Sequence, residues 1–502
     1  MRKDTATAKI TNSEKERNKQ IPKKRYIVEQ LDFIKILLCI LLPNLAFKII
    51  SFFILLQRPL INLDYIFWAL VSINLLRNQV VLFLTLLVII LDITMAVVPI
   101  YCFQIKDIPS IGKYIIYLDW KNLFFFKLFL VLAVLVPISM WFRSVIRSVS
   151  KWRSTIFLIF LGLSIIAADV LNGTSSYLPE RLRLRLVDDN IAFSASYSIG
   201  KAILENNNYF GKGRANSNFK EVKSATEELI LRMRNCERNV NIYEKHIVLV
   251  IVESFGLAKN DEINKLLVEP YLKKEIQNRY WVKIGNIPCN GATTNAEFRE
   301  LSGLNMNFHD ALNGSIPMSL PKYLRERGFN TLAIHGYTKN IFGRDIWYPA
   351  IGFDRMIFLE DLINKPNYHR CGSILRGSCD HELALLVREE LLTAASEERL
   401  FIYWLTLNAH LPIVNYRVDQ LALDCDQLIQ KPNGNDLCGL LKILLLTQLK
   451  IADIARAPNL EPTRFIIVGD HPPHFTSVGK RGLFIKDRVP FIELLRKKEE
   501  NK

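Results

Sequence analysis

Three short stretches carry residues whose types and spacing could do chemistry together. HIVLVIVES, His246 to Ser254, ends an apolar run in Glu253, and RFIIVGDH, beginning at Arg464, ends another in Gly469, Asp470 and His471. Two carboxylates and an imidazole thus converge at strand ends, a place well suited to chemistry. GATTNAEF, beginning at Gly291, adds the hydroxyls of Thr293 and Thr294 before a helical run. A hydroxyl beside a helix N-terminus and a divalent cation can act as the nucleophile on a phosphodiester, because the free N–H groups there bind anions and the cation lowers the cost of deprotonation. Each stretch also has a plainer reading. A Glu after a strand is commonly a solvated turn residue, and Thr294 or Asn295 could cap a helix beginning near Ala296. Two strand-end motifs of the same form in one chain weigh against the plain reading of both.

The elements that must position these groups follow from the pattern. A short run that is apolar throughout reads as a strand buried on both faces. Glu253 and Asp470 then stand at carboxyl ends of strands, where ligands gather in open α/β sheets. After Glu253 a polar helical stretch runs to about Asn278, and strands at Tyr280 to Ile284, Asn330 to Ile334, Leu400 to Leu407 and Phe465 to Val468 alternate with helices at 319 to 327, Glu382 to Ser396 and Gly439 to Ile454. That alternation predicts an α/β domain with parallel strands over residues 241–502.

The remainder of the chain differs in character. Of 502 residues, 50% are hydrophobic although 23% are charged, and the two kinds are segregated. Residues 1–30 are polar and basic, without the compact apolar core of a cleaved signal peptide, and read as a cytoplasmic tail. Apolar segments follow at 33 to 56, 61 to 76, 79 to 103, 123 to 142 and 155 to 172. They predict an α-helical membrane domain of about five transmembrane helices over 31–173. Five crossings keep the basic loop Arg143, Arg147, Lys151 and Arg153 on the tail's side, as the positive-inside rule requires, and place everything after Gly173 on the far side. Lys48, Asp92, Lys127 and Asp169 interrupt the segments; Lys48 and Asp92 are the two that could line a path for a polar headgroup. Residues 174–240 read as linker helices, with Ser224 and Glu227 at capping-box spacing. The net charge of +16 has no interleaving of Arg or Lys with aromatics, so it reads as membrane-surface charge and excludes nucleic acid as a partner.

Six cysteines lie in the extramembrane part: Cys236, Cys289, Cys371, Cys379, Cys425 and Cys438. None forms a C-x-x-C pair with a nearby His, so disulfides in an oxidising compartment are favoured over a zinc site. Cys371 with Cys379 and Cys425 with Cys438 close short Gly-containing loops, which leaves Cys236 with Cys289.

VESF, GATTNAEF, IFGRDIWYPAIGFD, LNAHLPI and VGDHPP, in this order after the apolar segments, resemble the lipoteichoic acid synthase and phosphoethanolamine transferase group of the alkaline phosphatase superfamily. The likeness is specific in the soluble half and general in the membrane half. It implies an alkaline-phosphatase-like (sulfatase-like) domain holding one metal, Zn²⁺ or Mn²⁺, by Glu253, Asp470, His471 and Thr293, with Thr293 becoming phosphorylated. It further implies headgroup binding by Arg344 and His410, with Phe342 where the synthase pattern has Trp, and adds His335 as a candidate. The Cys371 to Cys379 spacing resembles a disulfide of the transferases. The implied enzyme sits in the bacterial inner membrane with its catalytic domain on the periplasmic side. It moves phosphoglycerol or phosphoethanolamine from a phospholipid donor to an envelope glycan or lipid acceptor. A phosphodiesterase of the same fold differs only in passing the group to water, a sulfatase would need a C-x-P-S-R stretch that the chain lacks, and a silent binding or assembly module would not need all of Glu253, Thr293, Asp470 and His471.

Overall fold

The computed structural model describes residues 31–49, 60–74, 78–97, 137, 140–171, 192–196, 219–235, 243–289, 291–306, 308–312, 314–364, 369–372, 375–411, 413, 423–425, 435–475 and 478–497. The described residues up to 196 belong to one compact unit and those from 219 onward to another.

The second unit is built on a seven-stranded sheet. Its strands are β1 (His246–Val252), β2 (Tyr280–Pro288), β3 (Phe329–His335), β4 (Arg355–Ile357), β5 (Arg399–Leu405), β6 (Thr463–Gly469) and β7 (Arg488–Arg496). In space they run β2-β7-β6-β1-β5-β3-β4. β6, β1, β5, β3 and β4 are parallel neighbours, while β7 and β2 form an antiparallel margin. Every residue of β1 and β6 is buried, as strands covered on both faces must be. One face packs Val248, Val250, Ile402, Trp404, Phe465 and Ile467 against the long helices α4 (Asp380–Thr393) and α5 (Asn435–Ala455). Each aliphatic side chain buried in this way contributes roughly 1.5–3 kcal/mol. On the opposite face Tyr403 lies against Tyr348 and Phe353, and Phe298 stacks on Trp347, which brings α2 (Thr293–Ser302) and α3 (Arg344–Ala350) onto the sheet.

Three expectations need correction. The strand expected at Tyr280 to Ile284 runs on to Pro288 and is antiparallel, paired with β7, which the sequence pattern did not reveal because Pro490 and Glu493 break its apolar run. The segment 219–235 is not a linker beside the domain but part of it. Val222 N–H donates to the Gly303 carbonyl at 3.0 Å, Asn305 N–H donates to the Lys220 carbonyl at 2.9 Å, and the helix α1 (Glu227–Arg234) follows. The Ser224/Glu227 capping box does not form; Thr226 is the N-cap and makes no side-chain cap bond.

In the first unit, residues 31–49, Asp64–Asn74, Asn78–Val97 and Lys151–Leu171 are helical. Lys151–Leu171, with 21 residues and mean hydropathy 2.2, is the single helix among the described residues with the length and composition to cross a membrane. Among the described residues, five such helices are not seen. The segment expected at 61 to 76 is helical over Asp64–Asn74 among the described residues. That helix begins at buried Asp64, whose carboxylate accepts hydrogen bonds from Ser194 Oγ and Ser196 N–H. The segment expected at 123 to 142 lies outside the described residues except at 137 and 140–142. Asp92 is buried and accepts from Tyr65 Oη at 3.2 Å, and Asp169 accepts from Ala192 N–H.

Candidate active site at the ends of two adjacent strands

The register of β6 on β1 sets Gly469 opposite Val252, so the next residues, Asp470 and Glu253, leave the sheet side by side. Gly469 has to be glycine, since a Cβ there would lie 1.9 Å from the Phe255 carbonyl oxygen. Ser254 adopts φ 56°, unusual for a residue with a Cβ, and this turn aims its N–H at Asp470 Oδ1 (2.8 Å) and its Oγ at Glu253 Oε1 (3.0 Å). Asp470 Oδ1 also accepts His471 N–H at 2.6 Å, which leaves Oδ2 for the pocket. Thr406 Oγ1 accepts Glu253 N–H at 2.9 Å and fixes the other strand end.

The imidazole of His471 is oriented through its far side. Nδ1 lies 3.0 Å from the Pro472 carbonyl and donates to it, which puts the lone pair on Nε2. Nε2 stands 3.2 Å from Asp470 Oδ2 and 3.7 Å from Glu253 Oε1. The donor atoms of Glu253, Asp470 and His471 all lie within 4.8 Å of one another, and all three side chains are buried.

Helix α2 starts at Thr293, three residues ahead of the expected start near Ala296. Neither Thr294 nor Asn295 is the N-cap; Ala292 is, and the Asn295 side chain accepts its N–H at 3.1 Å while donating to the Met306 carbonyl at 2.8 Å. Gly291, at φ 88°, lets the chain enter past that side chain. Thr293 is thus the first helical residue, and its Oγ1 donates to Asp470 Oδ2 at 3.0 Å and stands 3.4 Å from His471 Nε2.

The electrostatics match a cation site. Burial, and then the neighbouring Asp470, pushes Glu253 well above the usual carboxylate range. Burial raises Asp470 to about 6 and lowers His471 to about 4. Two carboxylates crowded out of water resist ionisation, and a divalent cation between them reverses that penalty. The residues fit such an ion: two hard oxygen donors, one neutral imidazole with its lone pair turned inward, and a hydroxyl alongside.

The other expected residues are placed differently. Arg344 opens α3, but Nε and Nη2 donate to the buried carboxylate of Glu297 at 3.4 and 2.9 Å. Phe342, at φ 58°, lies under that guanidinium with its ring 5.2 Å away. Burial, and then the charge of His471, lowers His410 to about 3. His335 ends β3, where its Nδ1 donates to the Leu405 carbonyl at 3.0 Å; burial, and then Arg344, lowers it to about 3. Cys371 with Cys379 and Cys425 with Cys438 are disulfide-bonded as expected. Cys289 is not; it is a buried free thiol directed at the Lys486 carbonyl, while Cys236 lies outside the described residues. A further cluster of potential ligands, Cys379, His381 and Glu382, includes a sulfur already committed to a disulfide.

Several residues at the site were not singled out from the sequence. Glu297, one turn along α2 from Thr293, accepts from Arg344, Tyr348 Oη (2.5 Å) and Tyr403 Oη (3.0 Å). Asp380 accepts N–H groups from Leu407 (3.0 Å) and Asn408 (2.7 Å) and shapes the loop carrying His410; burial raises it to about 7. A signal for Glu297 was present, a charged residue spaced one helical turn from the candidate nucleophile.

Residues 245–424 match the Sulfatase family model, consistent with the sequence resemblance to the alkaline phosphatase superfamily. No curated protein matches the chain. Among solved structures, the lipoteichoic acid synthase LtaP from Listeria monocytogenes is 14% identical over 55% of this chain and 72% of its own, with a TM-score of 0.38. The phosphoglycerol transferase GacH from Streptococcus pyogenes, in complex with sn-glycerol-1-phosphate, is 15% identical over 54% and 78%, with a TM-score of 0.37. The C-terminal periplasmic domain of EcEptC from Escherichia coli, in complex with Zn, is 14% identical over 56% and 76%, with a TM-score of 0.36.

Proposed function

We propose that the protein is a membrane-anchored, metal-dependent phosphotransferase that takes a phospholipid headgroup, phosphoglycerol or phosphoethanolamine, onto Thr293 and passes it to a glycan or lipid of the bacterial envelope. The observation that carries this reading is the Thr293 hydroxyl, at the first position of a helix, hydrogen-bonded at 3.0 Å to Asp470 of a buried Glu-Asp-His set.

Glu253, Asp470, His471 and Thr293 would hold a Zn²⁺ or Mn²⁺ ion, whose positive charge would favour the deprotonated hydroxyl and attract an anionic phosphodiester. The chain's own residues do the rest. Asp470 Oδ2 orients Oγ1 and is the nearest acceptor for its proton. Pro472 holds the His471 ring in the tautomer with Nε2 unprotonated. The free N–H groups at the start of α2 and the positive end of its dipole face an arriving phosphoryl group. In the first displacement the Thr293 oxygen bonds to phosphorus and diacylglycerol leaves with a proton. In the second an acceptor hydroxyl oxygen bonds to phosphorus as the bond from phosphorus to the Thr293 oxygen breaks, and the acceptor's proton passes to that oxygen, restoring the free enzyme.

The helix Lys151–Leu171 supports membrane anchoring, and the two disulfides support an oxidising compartment such as the periplasm. Vesicles of phosphatidylethanolamine or of phosphatidylglycerol mixed with the full chain test the reading. Zn²⁺- or Mn²⁺-dependent release of diacylglycerol from one of them is expected. Folded, metal-loaded protein that releases none from either contradicts it.

A further inference from the structure

The metal-bearing loop rests on a buried ion pair that no part of the proposed chemistry uses. Arg299, on α2, donates from Nη2 to the Gly469 carbonyl at 2.7 Å and from Nη1 to the Asp470 carbonyl at 3.3 Å. Its Nε donates to Oε1 of the adjacent Glu300 at 2.6 Å. The other carboxylate oxygen of Glu300 accepts the N–H groups of Ala225 (2.9 Å) and Thr226 (3.2 Å), the free donors at the entrance to α1. Thr226 Oγ1 in turn donates to the Glu300 carbonyl at 2.6 Å. Arg299, Glu300 and Thr226 are all buried. A buried pair adds little to stability for its own sake, since desolvation consumes most of the attraction. Here it joins the segment 219–235 to the backbone of two consecutive residues, one of them the candidate ligand Asp470, and that segment directly precedes the catalytic strands in the chain.

We propose that Arg299 and Glu300 are positioning residues for the ligand loop Gly469 to His471, and that residues 219–235 are the strap holding Glu300 in place. The proposal rests on the metal-site reading above. Arg299 fixes the two carbonyls and hence the direction in which Asp470 Oδ2 and the His471 ring leave the backbone. Glu300 fixes the plane of the guanidinium, and the N–H groups at the start of α1 fix Glu300. The strap has a second, separate attachment: Glu228 pairs with Arg464 at 2.7 Å. Arg464 lies near the start of β6, six residues before Asp470, or about 20 Å at roughly 3.3 Å per residue. That attachment touches the same helix without touching the loop, so it serves as a control.

The test uses the full chain in detergent, with Zn²⁺ alone in competition with a chromogenic chelator, alongside the denaturant midpoint of each variant. Arg299→Lys keeps the charge and loses the fork. Glu300→Gln keeps an oxygen for Ala225 and Thr226 and loses the acceptor for Arg299. Each is expected to bind Zn²⁺ about 10–100-fold more weakly, the usual cost of losing an outer-shell partner. Glu228→Gln is expected to stay within about twofold of wild type, below the range for an outer-shell loss. If affinity follows the denaturant midpoint across all three variants, the pair is only structural and the proposal is overturned. Unchanged affinity in Arg299→Lys and Glu300→Gln, with Asp470→Ala unable to bind, overturns the positioning role and leaves the metal site standing. Full Zn²⁺ binding by Asp470→Ala overturns both. Should Arg299→Lys fail to fold, Glu300→Gln decides alone.

Discussion

Thr293 Oγ1 and Asp470 Oδ2, 177 residues apart in the chain, meet across a 3.0 Å hydrogen bond at the junction of a helix start and a strand end. The proposed chemistry rests on that meeting. The helix places a hydroxyl beside its free N–H groups, and the strand places one carboxylate of a buried Glu-Asp-His set.

The helix start separates the roles of three neighbouring residues. Asn295, not Thr294, closes the first turn, because its side chain accepts Ala292 N–H and donates to the Met306 carbonyl. Asn295→Ala is expected to cost about 1 kcal/mol of unfolding free energy, as a lost N-terminal cap interaction does. Thr294→Ala should cost less and keep turnover. Denaturant titration of both variants checks this, and a larger loss in Thr294→Ala would reverse the assignment.

Gly469→Ala is expected to be severe. Its Cβ would lie 1.9 Å from the Phe255 carbonyl oxygen, so either β6 or the turn after β1 has to move. Overpacking of this kind costs about 1–3 kcal/mol and displaces Asp470. Lowered stability together with weakened metal binding is the expected result; a variant matching wild type in both would show that the strand ends are looser than the register implies.

Acid should destabilise the domain through buried histidines outside the Glu253, Asp470 and His471 set. His246 accepts Leu400 N–H on Nδ1 at 3.1 Å, and burial, then Lys245, lowers it to about 4; His335 is lowered to about 3. A histidine depressed in the folded state contributes stability that is complete above its ordinary value near 6.5 and is lost as pH falls through the folded value. Unfolding free energy should therefore drop between about pH 6.5 and pH 4, by roughly 3 kcal/mol from His246. His246→Gln, which keeps an acceptor for Leu400, should flatten part of that slope. An unchanged slope in the variant would remove His246 from the account.

Nonreducing peptide maps of protein from the native envelope should show Cys371 linked to Cys379 and Cys425 linked to Cys438, with Cys289 alkylated only after denaturation. A linked peptide containing Cys289 would restore the pairing with Cys236 expected from sequence.

How much was legible in the sequence depended on how local the cause was. β1 and β6 declare themselves by unbroken apolar runs ending in acids, so Glu253, Asp470 and His471 were readable as strand-end residues. The resemblance of GATTNAEF then picked out Thr293. β7 was hidden because a proline and charged residues interrupt it, although its pairing with β6 buries its inward face. Arg344 looked free for an anionic headgroup because nothing local shows that Glu297, 47 residues earlier, claims its guanidinium. The strap was misread for the same reason, since a polar stretch reads as linker until Glu300, 74 residues beyond Thr226, takes up its N–H groups. In the first unit, the apolar segment read at 61 to 76 ran through Asp64, whose carboxylate is held by Ser194 and Ser196 far along the chain.

The central claim is that Thr293 carries the transferred group. Incubation of the full chain with metal and phospholipid, without an acceptor, followed by rapid acid quench and mass spectrometry of the peptide spanning Gly291 to Arg299, tests it directly. The account predicts an added mass of phosphoglycerol or phosphoethanolamine on Thr293, absent in Thr293→Ala and present in Thr294→Ala. An adduct that persists in Thr293→Ala, or sits on Thr294, would contradict it.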